Sequence, residues 1–285
     1  MKSLPFRARV ILKILAAALT LIAAGLVRIP GEIRSCTYTF VKELYRLHTL
    51  FANRHLLTLS GQHFVVKYYP ENGANAFLVL ETAEKAYNQL AKKYDFDARG
   101  VPVIIYPSRA ELNACFGWSA AEGAMGAYWA GVIRVLAPEA WIPKEEDVKE
   151  VFAGSGPMVH ELTHLIVDGL AKGNVPRWFT EGLAQYEEYR LTGFQLPGPE
   201  DFGKRTYHFR ELDREFDRLP DQALAYRQSF SAVEYLIQEY GEDKVKQILK
   251  TLSRGKDMEE ALVSATGTGL GQFERNWQNW IMQNE

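Results

Sequence analysis

Hydrophobic positions fall into three regimes along the chain. Residues 10–27 form an almost unbroken apolar run. Residues 62–69, 101–106 and 126–136 are shorter runs rich in β-branched and aromatic residues, the first closed by Pro70-Glu71-Asn72-Gly73, and they predict strands. Elsewhere the spacing is helical. Phe77, Leu80, Ala83, Tyr87 and Leu90 predict the inner face of a helix over residues 74–94, and Ser108 caps a short helix reaching residue 116. A helix beginning at residue 225 is stopped by Gly241, and three more follow over 242–253, 257–265 and 273–282. Strand, helix, strand, helix, strand and then helices predict an α+β fold.

Two segments leave alternatives open. In residues 33–59, Phe40, Val41, Leu44, Tyr45, Leu47, His48 and Phe51 recur near helical spacing. They predict a stalk helix, a helix packed on the rest of the chain, or one lying on a membrane surface. Residues 190–220 carry Gly193, Pro197-Gly198-Pro199 and Gly203 and predict a long loop bordering a cleft, with His208 as a substrate contact or a surface residue. Glu145-Glu146-Asp147 reads as a solvated loop or a first helical turn. Asp168-Gly169 and Lys172-Gly173-Asn174 predict a break between two helices, with Asn174 as an N-cap.

Composition narrows the class. The chain has 285 residues, 47% hydrophobic and 24% charged, with a net charge of -2, ordinary for a globular protein and without the basic excess that nucleic acid demands. The apolar run changes the picture more. Lys2, Arg7, Arg9 and Lys13 gather at its start, so it reads as a membrane anchor or as a cleaved signal, Ala23-Ala24-Gly25 offering small residues for cleavage. Either way the basic start stays in the cytoplasm and the remainder is exported. Cys36 and Cys115 are too few for a disulfide framework and lack metal-type spacing; free thiols and a bridge both remain open.

The chemistry concentrates at His160-Glu161-Leu162-Thr163-His164. On a helix, residues four apart share one face, so both imidazoles can hold one ion, with Glu161 leaning over the same face. Two histidines and one carboxylate leave a zinc ion an open position, as in catalytic sites. Glu181, on the next predicted helix, supplies that carboxylate. The bland alternative is a pair of surface histidines on an ordinary amphipathic helix.

His160-Glu161-x-x-His164 followed by Trp178-Phe179-Thr180-Glu181-Gly182-Leu183-Ala184 resembles the gluzincin metallopeptidases, and most closely the peptidase MA-like domains, from about residue 63 to the C-terminus. The resemblance implies a zincin-like two-lobe domain behind an N-terminal hydrophobic helix, with a mixed sheet lobe and the zinc helix over 63–172 and a helical lobe over 173–285. Residues 1–30 would be the anchor or signal and 31–62 the stalk. It implies one Zn2+ held by His160, His164 and Glu181, with Glu161 as general base in a metal-assisted hydrolysis of peptide bonds. Tyr226, in Tyr226-Arg227-Gln228-Ser229, is similar to a family tyrosine that binds the oxyanion, although Ser229 stands where a glycine is usual; a packing role is the alternative. By the same resemblance Gly126, Ala127, Tyr128 and Trp129 belong to an edge strand that binds substrate backbone, Tyr128 and Trp129 otherwise packing or shielding that edge. This strand lacks the glutamate with which the aminopeptidase N family holds a free amino terminus, which favours an endopeptidase. Gln185 stands where thermolysin-like enzymes place an orienting aspartate, leaving the acceptors of the imidazole N–H groups unassigned. The expected partners are a peptide or protein substrate and, through the N-terminal helix, a membrane. The competing readings are an inactive exported binding module on the same fold and a structural zinc site.

Overall fold

The computed structural model describes residues 31–119 and 123–284, with side chains from residue 37 onward. The apolar run at 10–27 lies outside the described residues; among those described, no helix is long and apolar enough to cross a membrane. Cys115 is free and exposed, and the side chain of Cys36 is outside the described set.

Five strands form one mixed sheet: β1 (Leu57–Ser60), β2 (Phe64–Tyr68), β3 (Val101–Tyr106), β4 (Gly126–Trp129) and β5 (Val132–Leu136), in the order β1-β2-β3-β5-β4. β3 runs parallel to both neighbours and is buried at every residue. A strand covered on both faces needs a continuous apolar run, and its sequence is one. β1 and β4 are antiparallel edges. β4 turns into β5 through Ala130 and Gly131, both at positive φ, as a two-residue hairpin requires.

Eleven helices surround and extend the sheet among the described residues: α1 (Gly31–Ala52), α2 (Gly73–Tyr94), α3 (Arg109–Ala114), α4 (Val148–Ser155), α5 (Met158–Ala171), α6 (Arg177–Thr192), α7 (Phe209–Glu215), α8 (Gln222–Tyr240), α9 (Glu242–Leu252), α10 (Met258–Thr266) and α11 (Leu270–Asn284). Phe64, Val103, Ile105 and Ile133 share a core with α2 and α5, which continues through Trp178 and Phe179 of α6 to Phe273 and Trp277 of α11. The boundary at residue 172 is therefore a change of secondary structure within one hydrophobic core. On the opposite face, Ile104, Tyr106, Val132 and Leu136 join Leu56 and Leu112, against Tyr45 and Phe116.

Tertiary packing overrides several local expectations. Asp168 and Gly169 lie inside α5, which ends only at Lys172, in left-handed conformation with φ 53°. The phenols of Tyr38 and Tyr128 donate to the Asp168 carboxylate and the Lys42 ammonium pairs with it. Asn174 caps no helix; its amide donates to the carbonyls of Leu252 and Lys256. Residues 57–60, expected in the stalk, are strand β1, and α1 contacts the body through Tyr38, Lys42 and Arg46, whose guanidinium donates to the Gly100 carbonyl at 2.8 Å. The acidic stretch at 145–147 ends in Asp147, which caps α4 by accepting from the Lys149 and Glu150 N–H groups. The expected long loop contains α7, whose buried Phe209 and Leu212 anchor it. His208, just before α7, is exposed and bonded to Glu274 at 2.7 Å.

Candidate metal centre

α5 carries His160 and His164 on one face because they are one turn apart, while Leu162, Leu165 and Ile166 are buried in the core and hold the helix in place. α6 folds back along α5 after the turn at Lys172-Gly173 and brings Glu181 to the imidazoles. Its approach to α8 is set by Gly182: an ideal Cβ there would lie 2.2 Å from the Ser229 carbonyl oxygen, so any side chain would push the two helices apart.

His160 Nε2 lies 3.2 Å from Glu181 Oε2, and His164 Nε2 lies 3.6 Å from Glu181 Oε1. The imidazole centroids are 4.8 Å apart, and one ligand atom from each of the three residues falls within 4.8 Å of the others. Two donors bound tetrahedrally at the usual Zn–N and Zn–O lengths sit about 3.3 Å from each other. A charge-assisted hydrogen bond would be shorter, about 2.7–2.9 Å. His160 and Glu181 are within hydrogen-bond reach of each other, and the same spacing also fits donors around one ion.

The other imidazole nitrogens are engaged. His164 Nδ1 lies 2.8 Å from Thr180 Oγ1, and His160 Nδ1 lies 3.4 Å from Glu188 Oε2. With Nδ1–H donating outward, each ring turns its Nε2 lone pair inward, the tautomer a metal needs. Glu188 and Thr180 are the acceptors left unassigned by the sequence. Gln185 instead donates to the backbone carbonyls of Glu181 and Tyr226. Glu188 lies seven residues, two turns, beyond Glu181, and that spacing was the available signal.

Glu161 is buried beside the cluster. The backbone N–H of Tyr128 lies near its carboxylate. A Cβ on Gly126 would stand 2.7 Å from Pro157 Cβ and 3.1 Å from Glu161 Cγ, so glycine lets β4 lie directly against this carboxylate. Burial pushes the Glu161 carboxyl up to about 7, with His160 opposing. Burial lowers His164 to about 3. For His160 the burial effect is outweighed by hydrogen bonds to Glu181 and Glu188, which raise it. Glu181 is likewise held low against its burial by His164, Arg177 and His160. Without a metal, the charged form is therefore favoured on His160 and disfavoured on His164.

Arg177 and Tyr226 complete the surroundings. Arg177 Nη2 lies 3.1 Å from Glu181 Oε1, and the guanidinium lies near the Tyr226 phenol. Burial and the nearby Glu181 raise the Tyr226 pKa, so the phenol keeps its proton. The structure therefore gathers His160, Glu161, His164, Glu181 and Tyr226, together with β4. Within β4, the Tyr128 phenol is engaged inside the chain by Asp168. Ala127 is buried and Trp129 is 60% exposed.

A helix bearing His-Glu-x-x-His, a carboxylate from the next helix and a sheet edge laid against the glutamate define a scaffold of the metallopeptidase type. The chain belongs to the peptidase MA superfamily, whose family model matches residues 128–283, more than half of its length. It is also similar to the uncharacterized protein YhcO of Bacillus subtilis (strain 168), with 26% identity over 220 residues, 73% of this chain and 66% of that one. The chain thus spans slightly less than two thirds of that relative's length.

Proposed function

We propose that this protein is a zinc-dependent peptidase acting within peptide chains. The observation that carries the proposal is the meeting of His160 Nε2, His164 Nε2 and Glu181 at ligand spacing, with a buried Glu161 beside them. Zinc held there would supply the Lewis acidity that polarises a scissile carbonyl and readies a water for attack. Glu161 takes the proton of that water and passes it to the leaving amine. Tyr226, which lies beside Arg177 and Glu181, directs its O–H to the developing oxyanion. Thr180 and Glu188 hold the imidazole tautomers.

Substrate backbone would add as a strand along β4. The register pairs Ala127 with Arg134 and Trp129 with Val132 across the hairpin, so Gly126 and the Tyr128 carbonyl face outward. The absence of a glutamate from residues 126–130 supports cleavage within chains, since nothing on this strand would hold a free amino terminus. The basic residues opening the 10–27 run support export, with the catalytic part anchored outside the cytoplasmic membrane or released by cleavage.

Elemental analysis of the full chain purified without chelator tests the metal, and a peptide library tests the reaction. Wild type should hold one zinc, Glu181→Ala should lose it, and Glu161→Gln should keep it while failing to cleave. Wild type that takes up no zinc at neutral pH would refute the reading.

A further inference from the structure

α1 has two unlike faces. One is bonded to the body: Tyr38 and Lys42 to Asp168, Arg46 to the Gly100 carbonyl, Tyr45 to Arg134, with Thr49 buried. The other carries Phe40, Val41, Leu44, Leu47 and Phe51, each between 51% and 66% exposed. At 100° per residue these five span about 120° of the helix circumference, an apolar stripe about 17 Å long interrupted by the exposed His48. Arg54 lies over the Phe51 ring, 4.4 Å from its centroid, and puts a cation at the end of the stripe. Scattered exposed apolar residues need no explanation, but five in one stripe on a helix whose other face is fully engaged do.

We propose that this stripe seats α1 on a lipid bilayer. The chain itself favours lipid over a protein cover. The 10–27 run ends four residues before α1 begins, so whatever holds that run also lies next to the stripe. The run is almost unbroken in apolar residues, more apolar surface than a stripe one face wide could cover. Hydrocarbon covers both. Aromatic and leucine side chains with a flanking arginine are the composition of helices that lie in the headgroup region. The bonds from Tyr38 and Lys42 to Asp168, one turn beyond His164, then fix the candidate metal centre at a set height above the bilayer. This inference rests on the membrane attachment proposed above and is independent of the peptidase chemistry.

Nitroxide accessibility in the full chain tests it. With Cys36 and Cys115 replaced by serine, single labels at Leu44→Cys, Leu47→Cys and, as a reference on α11, Met282→Cys are measured in vesicles of phosphatidylethanolamine and phosphatidylglycerol. Lipid contact should make the Leu44 and Leu47 labels rich in oxygen collisions and several-fold poorer than Met282 in collisions with a water-soluble nickel chelate. Nickel collisions equal to those at Met282 would leave the stripe in water. Low collisions with both reagents would place protein on it, either a second copy or residues 10–27. Both results overturn the proposal. Flotation of the same samples separates the outcomes: a chain that floats with its labels in water loses only the docking of α1, and one that stays with the aqueous fraction loses the membrane attachment too. Zinc content, measured in parallel, reports on the peptidase reading alone.

Discussion

Glu187 and Glu188 are neighbours on α6, both buried, and they serve opposite sides of the helix. Glu187 accepts from the Tyr94 phenol at 2.8 Å, pairs with Lys93 at 2.9 Å and with Arg190 at 2.7 Å. Lys93 also pairs with Glu242, so that cluster balances two carboxylates with two cations. On the other side, Glu188 and Glu181 face imidazoles, Glu161 lies beside them, and Arg177 is the one fixed cation bonded to the group. Buried charge is costly unless compensated. The Glu187 side is compensated by the chain itself. The site side sets three carboxylates against one guanidinium and two imidazoles, an arrangement that favours a bound cation. The difference separates a structural ion pair from a binding site on one and the same helix.

The comparison breaks most visibly at Glu161. Glu161→Gln keeps the shape and every ligand, so it should hold metal as wild type does while hydrolysis of a cleavable peptide falls by about 10²–10⁴-fold, the range for loss of a general base. Equal rates in variant and wild type would remove Glu161 from the chemistry. Next come the two sides of α6. Glu187→Ala leaves Lys93 and Arg190 without their buried partner and should cost about 3–5 kcal/mol in urea unfolding, with metal content unchanged. Glu181→Ala should do the reverse, emptying the site with a smaller change in stability measured in chelator. If both variants lost metal and stability alike, the two sides would not be separate.

The sequence shows the core of this site because its donors obey local rules. His160, Glu161 and His164 need only helical spacing, and Glu181 follows within one turn of chain reversal. Glu188 and Thr180 were hidden for a physical reason. Glu187-Glu188 reads as surface charge, since glutamate is rarely buried, and only the packing of α6 between α5 and α8 reveals that both are inside. Asp168-Gly169 carries the local signal of a helix end, yet contacts from Tyr38, Lys42 and Tyr128, distant in sequence, keep α5 helical through it. β1 is four residues long, largely exposed and paired only with β2, too little for a pattern to betray. The resemblance proposed Tyr226, whereas its position beside Arg177 and Glu181 needed the fold.

Proton linkage sharpens the contrast at smaller scale. In the metal-free protein burial raises Glu161 from 4.5 to about 7, so between those values the folded state keeps a proton that the unfolded chain has released. Stability from this group is therefore lost as pH rises through that window, by up to about 3 kcal/mol. His164, lowered by burial from 6.5 to about 3, works the other way and adds stability as pH rises across its own window. Glu161→Gln removes only the first effect. In chelator its melting temperature should gain on wild type between pH 5 and pH 8; a constant difference would mean that Glu161 titrates near its ordinary value.

The smallest effects fall on the acceptors behind the imidazoles. Glu188→Gln keeps an oxygen near His160 Nδ1 but removes a buried charge, and Thr180→Val removes the hydroxyl that receives His164 Nδ1–H while keeping its volume. Each should weaken zinc by about 10–100-fold, measured by competition with a chromophoric chelator, because the freed ring loses its preferred tautomer and orientation. The two need not be equal. His164 bonds its acceptor at 2.8 Å and His160 at 3.4 Å, so geometry alone ranks Thr180→Val as the costlier change. Charge ranks them the other way, since Glu188 supplies part of the negative excess that draws a cation. If affinity falls further for Glu188→Gln, and the gap closes as salt is raised, charge governs the site side of α6. If Thr180→Val is the weaker binder at every salt concentration, orientation of the rings does.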